Sequence, residues 1–512
     1  MFLKIVQYPV FMLYLYCKNS VDKLWIKYKN VEMELFASID QGTSSTRTII
    51  FDKDLKTVDS RQEAYELNFP NPGWVEIDPE VLRNSVMNTM KPLVDKYKDK
   101  LNSISITNQR ESTIIWNKKT GNAIYPIIVW QDRRTEGYCN ELKEQGHESM
   151  IQNKTGLVID PYFSATKIKW ILDNVPSAQD QAKKGEILFG TIDCYLVWLL
   201  TGKHLTDSTN ASRTMIFNIQ NQCWDDELLK LFGIPKDILP EVTASNFEFG
   251  ECKNSGLKLN AVIGDQQAAL VGQQCFNKNA MKVTFGTGCF LMMNMGKEFR
   301  ISNKKLLTTI AYKFNDQCVY GMEGSIFSAG TIIKWLRDNL NFFNSAKESE
   351  SHINSEWNSN GVLFVPAFTG LGVPQWNPNI KASFYGITAE NDKNDLVTAA
   401  FKSIVFQLKD IMIILKEDGY DISSLSIDGG MSNNRKFCQM ISDILGLEIL
   451  VPENVESTAT GAAIVSSIRD VKEDLKDLSL PNYTKYLPKG NSCEADFKEW
   501  QKFVQTLDQQ YK

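Results

Sequence analysis

Two widely separated stretches follow one plan. Leu35 to Phe51 reads LFASIDQGTSSTRTIIF, and Met281 to Met293 reads MKVTFGTGCFLMM. Each is a β-favouring run, a turn rich in glycine and hydroxyl residues, and a second β-favouring run. A turn built of Gly42, Thr43, Ser44 and Ser45 brings backbone N–H groups and hydroxyls into one concavity, as binding a phosphate requires. Arg47 follows with a positive charge. Asp40, closing the first strand, is an oxygen ligand of the kind magnesium prefers. Taken alone, such a turn is more often a surface hairpin than a nucleotide site. Its recurrence predicts two lobes built alike, with a ligand between them.

The bulk of the chain fits that layout. Its 512 residues, 43% hydrophobic and 23% charged, are enough for two substantial cores. A net charge of -5, without a sustained basic block, excludes a general affinity for nucleic acid. Ten cysteines without a Cys-x-x-Cys pair point to reduced thiols in a cytosol-like compartment, and the expected location is cytoplasmic. The three histidines, His147, His204 and His352, are scattered, which excludes a histidine-rich zinc site and leaves carboxylates and arginines to carry any chemistry.

Along the chain, β-runs alternate with amphipathic stretches, the signature of an α/β protein. Asp78 opens a helix over 80–97, and Ile104 to Thr107 forms a strand that delivers Asn108-Gln109-Arg110-Glu111 to its end. Asn260 to Ile263 is a strand ending in Gly264-Asp265-Gln266-Gln267, with a helix expected from Ala268. Leu425 to Asp428 precedes Gly429-Gly430-Met431-Ser432-Asn433-Asn434, and a helix follows from Arg435 to Leu445. Chemistry in such proteins collects past strand ends. The chain is divided into residues 1–32, an extension; 33–273, a first lobe; 274–495, a second lobe; and 496–512, a tail. The extension is apolar and aromatic but too short to span a bilayer. It reads first as a translation artefact upstream of Met33, then as a targeting segment or weak membrane or mitochondrial anchor, and last as a structural arm.

SIDQGTSSTR, PNPGWVEIDP, ITNQRE, IVWQDRRT, TGLVIDPYFSATKIKWIL, TDSTNASRT, GDQQAA, FGTGCF, VPAFTGLG and DGGMSNN occur in that order. In these motifs the chain resembles the FGGY carbohydrate kinases over roughly residues 35 to 480. The resemblance implies an α/β fold of two actin-like, ribonuclease H-like ATPase lobes with a catalytic cleft between them. It implies ATP and Mg2+ as cofactors, and phosphorylation of glycerol to sn-glycerol 3-phosphate. In that reading Arg110 and Glu111 grip the hydroxyls, Tyr162 adds a donor, Trp130 and Phe290 cover the carbon face, and Gln266 helps to hold the substrate. Asp265 is the general base. Asp40 and Asp265 face the metal, while Thr43, Ser44, Ser45, Arg47 and Thr287 face the phosphates. Gly330, Gly430 and Asn434 line the nucleotide; Lys334 stands where the family often has glutamine, and no contact is carried over to it. The family's bacterial members place a Gly/Arg-rich loop for a regulatory sugar bisphosphate just before the GDQQ strand. Here that segment, Glu251 to Lys258, is shorter and lacks arginine, so this regulation is expected to be absent. The family also implies a homo-oligomer, dimer or tetramer, with membrane contact only if residues 1–32 anchor it. Two rival readings are a kinase for another polyol or ketose, and a regulatory ATP-binding protein without transfer activity.

Overall fold

The computed structural model describes residues 34–302, 304–454, 456–468, 474–475, 478 and 482–511. The extension 1–32, with each reading offered for it, lies outside the described residues.

The first lobe is a six-stranded sheet. Its centre is β1 (Leu35–Gln41), hairpinned to β2 (Ser45–Asp52), which pairs antiparallel with β3 (Thr57–Ala64). On its other side β1 runs parallel to β4 (Leu101–Asn108), and β4 runs parallel to β5 (Lys258–Gly264). Buried on both faces, β1 carries Leu35, Ala37 and Ile39 into the core. Pro79–Tyr97 is a helix covering one face, and Asp78 starts it by accepting the Glu80 N–H at 2.8 Å. Leu82, Val86 and Leu93 from this helix pack with Ile104, Ile106 and Val262.

The second lobe repeats the plan in seven strands. β6 (Met281–Phe285) hairpins to β7 (Cys289–Gly296), and β8 (Leu307–Phe314) and β9 (Gln317–Ile326) extend the antiparallel side. β10 (Ser424–Asp428) runs parallel to β6, and β11 (Glu448–Pro452) runs parallel to β10. In both lobes an antiparallel meander therefore adjoins parallel strands whose carboxyl ends point one way, and the two glycine turns fall at equivalent places. That is the expected two-lobed architecture, with the hairpins as its internal repeat.

Two small-residue helices join the lobes. α1 (Asp265–Gly272) and α2 (Ser457–Ser467) cross so closely that a Cβ on Gly461 would lie 1.8 Å from the Ala268 carbonyl oxygen, and one on Gly272 would lie 2.0 Å from that of Ser457. The expected helix start at Ala268 is corrected: the helix begins at Asp265, directly after the strand, with Gly264 in extended conformation before it. The residues expected as a tail form α3 (Glu494–Gln510), which crosses the 495/496 boundary and buries Phe497, Trp500, Val504 and Leu507 in the second core. Its apolar positions recur at helical spacing, and burying them ties the segment to that lobe. Nine free cysteines are described, six of them buried. No described helix is long and apolar enough to cross a membrane.

Candidate active site

The carboxyl ends of β4 and β5 and the tips of both hairpins converge. Just past β4, Arg110 and Glu111 are almost wholly buried, and Glu111 adopts a left-handed backbone with φ of 63°. A bulky residue there is strained, and the strain turns its carboxylate inward. Asp265, at the start of α1, forms an ion pair with Arg110, 3.1 Å from its Nε, and accepts a hydrogen bond from the Gln266 N–H at 2.6 Å. Burial raises the Asp265 carboxyl above its ordinary range while Arg110 pulls it down. A carboxylate made more basic by burial suits proton abstraction.

Over this polar floor stand three rings. Trp130 meets Tyr162 edge-on at 5.5 Å and Phe290, from the other lobe, at 6.2 Å. Trp130 Nε1 donates to Thr43 Oγ1 at 3.0 Å, tying the ring to the phosphate turn. A carboxylate, a guanidinium and an aromatic wall around one point can hold a small molecule with many hydroxyls and little carbon surface.

The turn residues divide. Ser44 is exposed, and Gly42 closes the turn through its N–H to the Ser45 carbonyl at 2.9 Å. Ser45 Oγ accepts from Gln62 at 3.1 Å. Arg47 is turned away from the cavity toward the other lobe, where Nη1 bonds Glu456 Oε1 at 2.6 Å, with Nη2 only 4.0 Å from Asp40. The half-buried Arg47 guanidinium is already paired with the Glu456 carboxylate, so a phosphate would have to compete for it. Gln266 is likewise engaged, its Oε1 accepting from the buried Lys282 Nζ, which also donates to Thr284 Oγ1 at 2.9 Å.

On the second lobe a cavity of about 910 Å³ is lined by Gly330, Lys334, Gly430 and Asn434 among others. Thr287 lies beside it on the Gly286–Gly288 turn, where Gly286 and Thr287 are exposed, locked by the Gly330 N–H donating to the Gly286 carbonyl at 3.0 Å. A Cβ on Gly330 would meet that carbonyl oxygen at 2.5 Å. Asn434 caps the helix Arg435–Leu445 through Oδ1, at 2.9 Å from the Phe437 N–H. Its buried Nδ2 has no partner among the described residues, a donor left for a ligand. Lys334 does face this cavity, with Arg337 and Arg435, so its rim is basic.

Magnesium can be tested against the donors present. Burial pushes the Asp40 carboxyl up to about 7 against the pull of Arg47, and Asp265 adds to the rise. The buried Asp428 Oδ1 has no partner among the described residues. No group of three or more His, Cys, Asp or Glu side chains is assembled for a metal among them. A few under-neutralised carboxylates, without a full protein cage, fit a hard cation that takes its remaining ligands from phosphate and water.

Three functional side chains escaped the sequence reading. Glu323 on β9 binds Arg110, Arg213 binds Glu111, and Lys282 binds Gln266. Arg213 was visible only as the arginine of the TDSTNASRT motif, to which no role was given. The signal for Glu323 and Lys282 was a charge inside an otherwise apolar strand, which marks a buried partner without naming it.

Residues 35–272 match the N-terminal domain of the FGGY family of carbohydrate kinases, and residues 281–469 match its C-terminal domain. The chain belongs to the FGGY family of carbohydrate kinases. A protein named glycerol kinase from Nitrosomonas eutropha is 45% identical over 450 residues, covering 86% of this chain and 90% of its own. One of the same name from Streptococcus pyogenes is 44% identical over 483 residues, covering 91% and 96%. The crystal structure of Plasmodium falciparum glycerol kinase with ADP superposes with a TM-score of 0.86 at 35% identity, covering 93% of this chain and 98% of that one. A gluconate kinase from Lactobacillus acidophilus shares the fold, with a TM-score of 0.84 at 21% identity.

Proposed function

We propose that this chain transfers the γ-phosphoryl group of ATP to glycerol, giving sn-glycerol 3-phosphate and ADP. The observation that carries the reading is the convergence of Arg110, Glu111 and Asp265 under the Trp130, Tyr162 and Phe290 rings. The kinship to glycerol kinases of two bacteria and of Plasmodium selects the triol among small polyols.

In this reading the remaining Arg110 N–H and the second Glu111 oxygen bond two hydroxyls, and the rings cover the carbon chain. Charge-assisted bonds of this kind are worth about 1.5 to 3 kcal/mol each. Asp265 takes the proton of the third hydroxyl as its oxygen bonds phosphorus; the bond from phosphorus to the bridging oxygen breaks, and ADP leaves. General base catalysis of this sort gives about 10²- to 10⁴-fold. The backbone N–H groups and hydroxyls of Thr43, Ser44, Ser45 and Thr287 face the phosphates, and Gly330, Gly430 and Asn434 line the nucleoside side. Asp40 and Asp265 would hold Mg2+, which would supply neutralising charge to the transferred group. Closing the lobes excludes water, so that glycerol receives the phosphoryl. A cytoplasmic homo-oligomer, dimer or tetramer, belongs to the same reading and is checked by light scattering of the purified chain.

The test uses purified protein with ATP, Mg2+ and glycerol, dihydroxyacetone, xylulose, gluconate or no acceptor, following ADP release and phosphorylated product. Product with glycerol far above the others, abolished by chelating the metal and restored by adding it back, is expected. Preference for another acceptor would assign a different polyol or ketose, and acceptor-independent ADP release would sink transfer altogether.

A further inference from the structure

Below the pocket floor lies a chain of four buried side chains, two arginines and two glutamates, two of which the reaction never touches. Arg213 Nε donates to Glu111 Oε1 at 2.6 Å, and its Nη2 donates to Glu323 Oε1 at 2.9 Å. Glu323 grips Arg110 with both oxygens, at 2.5 Å from Nη1 and 3.2 Å from Nη2. Each of the four side chains is at most 2% exposed. The Arg213 guanidinium also lies 5.7 Å from the Tyr162 ring centre and 5.4 Å from that of Phe163.

We propose that Arg213 and Glu323 are positioning residues that set the glycerol clamp from opposite lobes, Glu323 aiming Arg110 and Arg213 aiming Glu111. The inference rests on the glycerol-phosphorylating reading and adds which residues make that site selective. The chemistry of the groups supports it. Glu323 occupies both Arg110 Nη atoms, Gln267 takes a second bond on Nη1 at 3.2 Å, and the Asp265 carboxylate stands 3.1 Å from Nε as an ion-pair partner. The guanidinium is thereby fixed in plane, with one Nη2 hydrogen left to offer. Arg213 holds one oxygen of Glu111, whose backbone is already strained, and leaves the other for a hydroxyl. Arg110 and Arg213 are paired across this chain with Glu111 and Glu323, so removing one member leaves its buried neighbour without that partner. Burial pushes the Glu323 carboxyl up, but Arg110 and Arg213 outweigh it and hold it at about 2. Glu323 therefore stays an anion at any working pH. Because Glu323 stands on β9 of the second lobe, while both arginines belong to the first, the clamp takes shape only when these two faces are packed together.

A purely structural weld between lobes would weaken binding of both substrates alike; a positioning role separates them. Arg213→Lys keeps the charge but replaces a planar fork that reaches two carboxylates with a single ammonium. Glu323→Asp keeps the anion and withdraws it by one methylene. Initial rates with glycerol and ATP varied separately, and with 1,2-propanediol as an acceptor lacking one hydroxyl, are compared with wild type. Displacing a clamp by about 1 Å costs up to about 10²-fold. We expect kcat/KM for glycerol to fall by that order in Arg213→Lys and by about tenfold in Glu323→Asp. KM for ATP should stay within about threefold, and the preference for glycerol over the diol should shrink. Equal changes in both KM values, an unchanged acceptor preference, or failure of both variants to fold would overturn the inference and leave a structural weld. If wild type itself fails to phosphorylate glycerol, the reading beneath falls instead.

Discussion

Gly461→Ala sets two effects of opposite sign against each other. Inside an isolated helix the change should stabilise by about 1 kcal/mol, because glycine pays more backbone entropy than alanine. Gly461 lies within α2, where α1 crosses it, and the added Cβ would stand 1.8 Å from the Ala268 carbonyl oxygen and 2.9 Å from the Gly272 nitrogen. Both neighbours are backbone, so no side chain can swing aside. Ordinary contact begins at 3.4 Å, so the helices must part by about 1.6 Å or shear, and overpacking of this kind typically costs about 1–3 kcal/mol or more. The packing term should win, by about 1–2 kcal/mol. For a lobe of this size that lowers the melting temperature by about 2–8 °C. A second effect follows because α1 begins with Asp265: shifting the base by about 1 Å should cut kcat/KM by about 10²-fold. Thermal unfolding and steady-state rates of glycerol phosphorylation, on the same preparation, read both. A variant that melts higher, with unchanged kcat, would show that the helices separate freely and refute the overlap argument.

Asp265→Asn keeps the shape of the base and removes its proton affinity; kcat should fall by at least about 10²-fold while ATP still binds in a fluorescence titration, and a kcat within tenfold of wild type would reassign the base. Burial lowers the His204 imidazole to about 4, although its Nε2 sits 2.8 Å from the Phe189 carbonyl oxygen. The unfolded chain takes up that proton near pH 6.5 and the folded one does not, so the stability involved is complete above about 6.5 and is lost as pH falls through about 4, by about 1–3 kcal/mol for this partly buried ring. Urea unfolding at pH 7.5 and 4.5 should accordingly show a smaller loss in His204→Gln, and an equal loss would place the acid sensitivity elsewhere. The loop before β5 offers no arginine to a sugar bisphosphate, so fructose 1,6-bisphosphate should leave the rate at saturating substrate unchanged; inhibition would contradict the reading of Glu251 to Lys258.

Much of this protein was decided locally. Both hairpins, the Asp78-capped helix and the helix Arg435–Leu445 follow from periodicity, small-residue turns and caps, all of which act over a few residues. The same local logic delivered Arg110, Glu111 and Asp265 to strand ends, and the ordered motifs disclosed the family. Local reasoning failed where a short element depended on its surroundings. Of the β-favouring run Ile127 to Trp130 only Ile127–Ile128 forms a strand, and of the apolar run within Gly361 to Phe368 only Leu363–Val365 does. The helix start moved to Asp265 because no side-chain cap marks it.

Partner choice was settled by the tertiary structure alone. Nothing near Arg110 in the chain announces Glu323 as its counter-ion, nor does anything near Arg47 announce Glu456. Local sequence sets which conformations a segment can adopt, because backbone sterics and hydrogen bonding act between neighbours. Which charges meet is set by burial: once two sheets and their crossing helices exclude water, every enclosed guanidinium and carboxylate must find a partner among whatever the fold brings within reach. The residues of the clamp were therefore legible in the sequence, and the frame that aims them became visible only when the lobes were folded together.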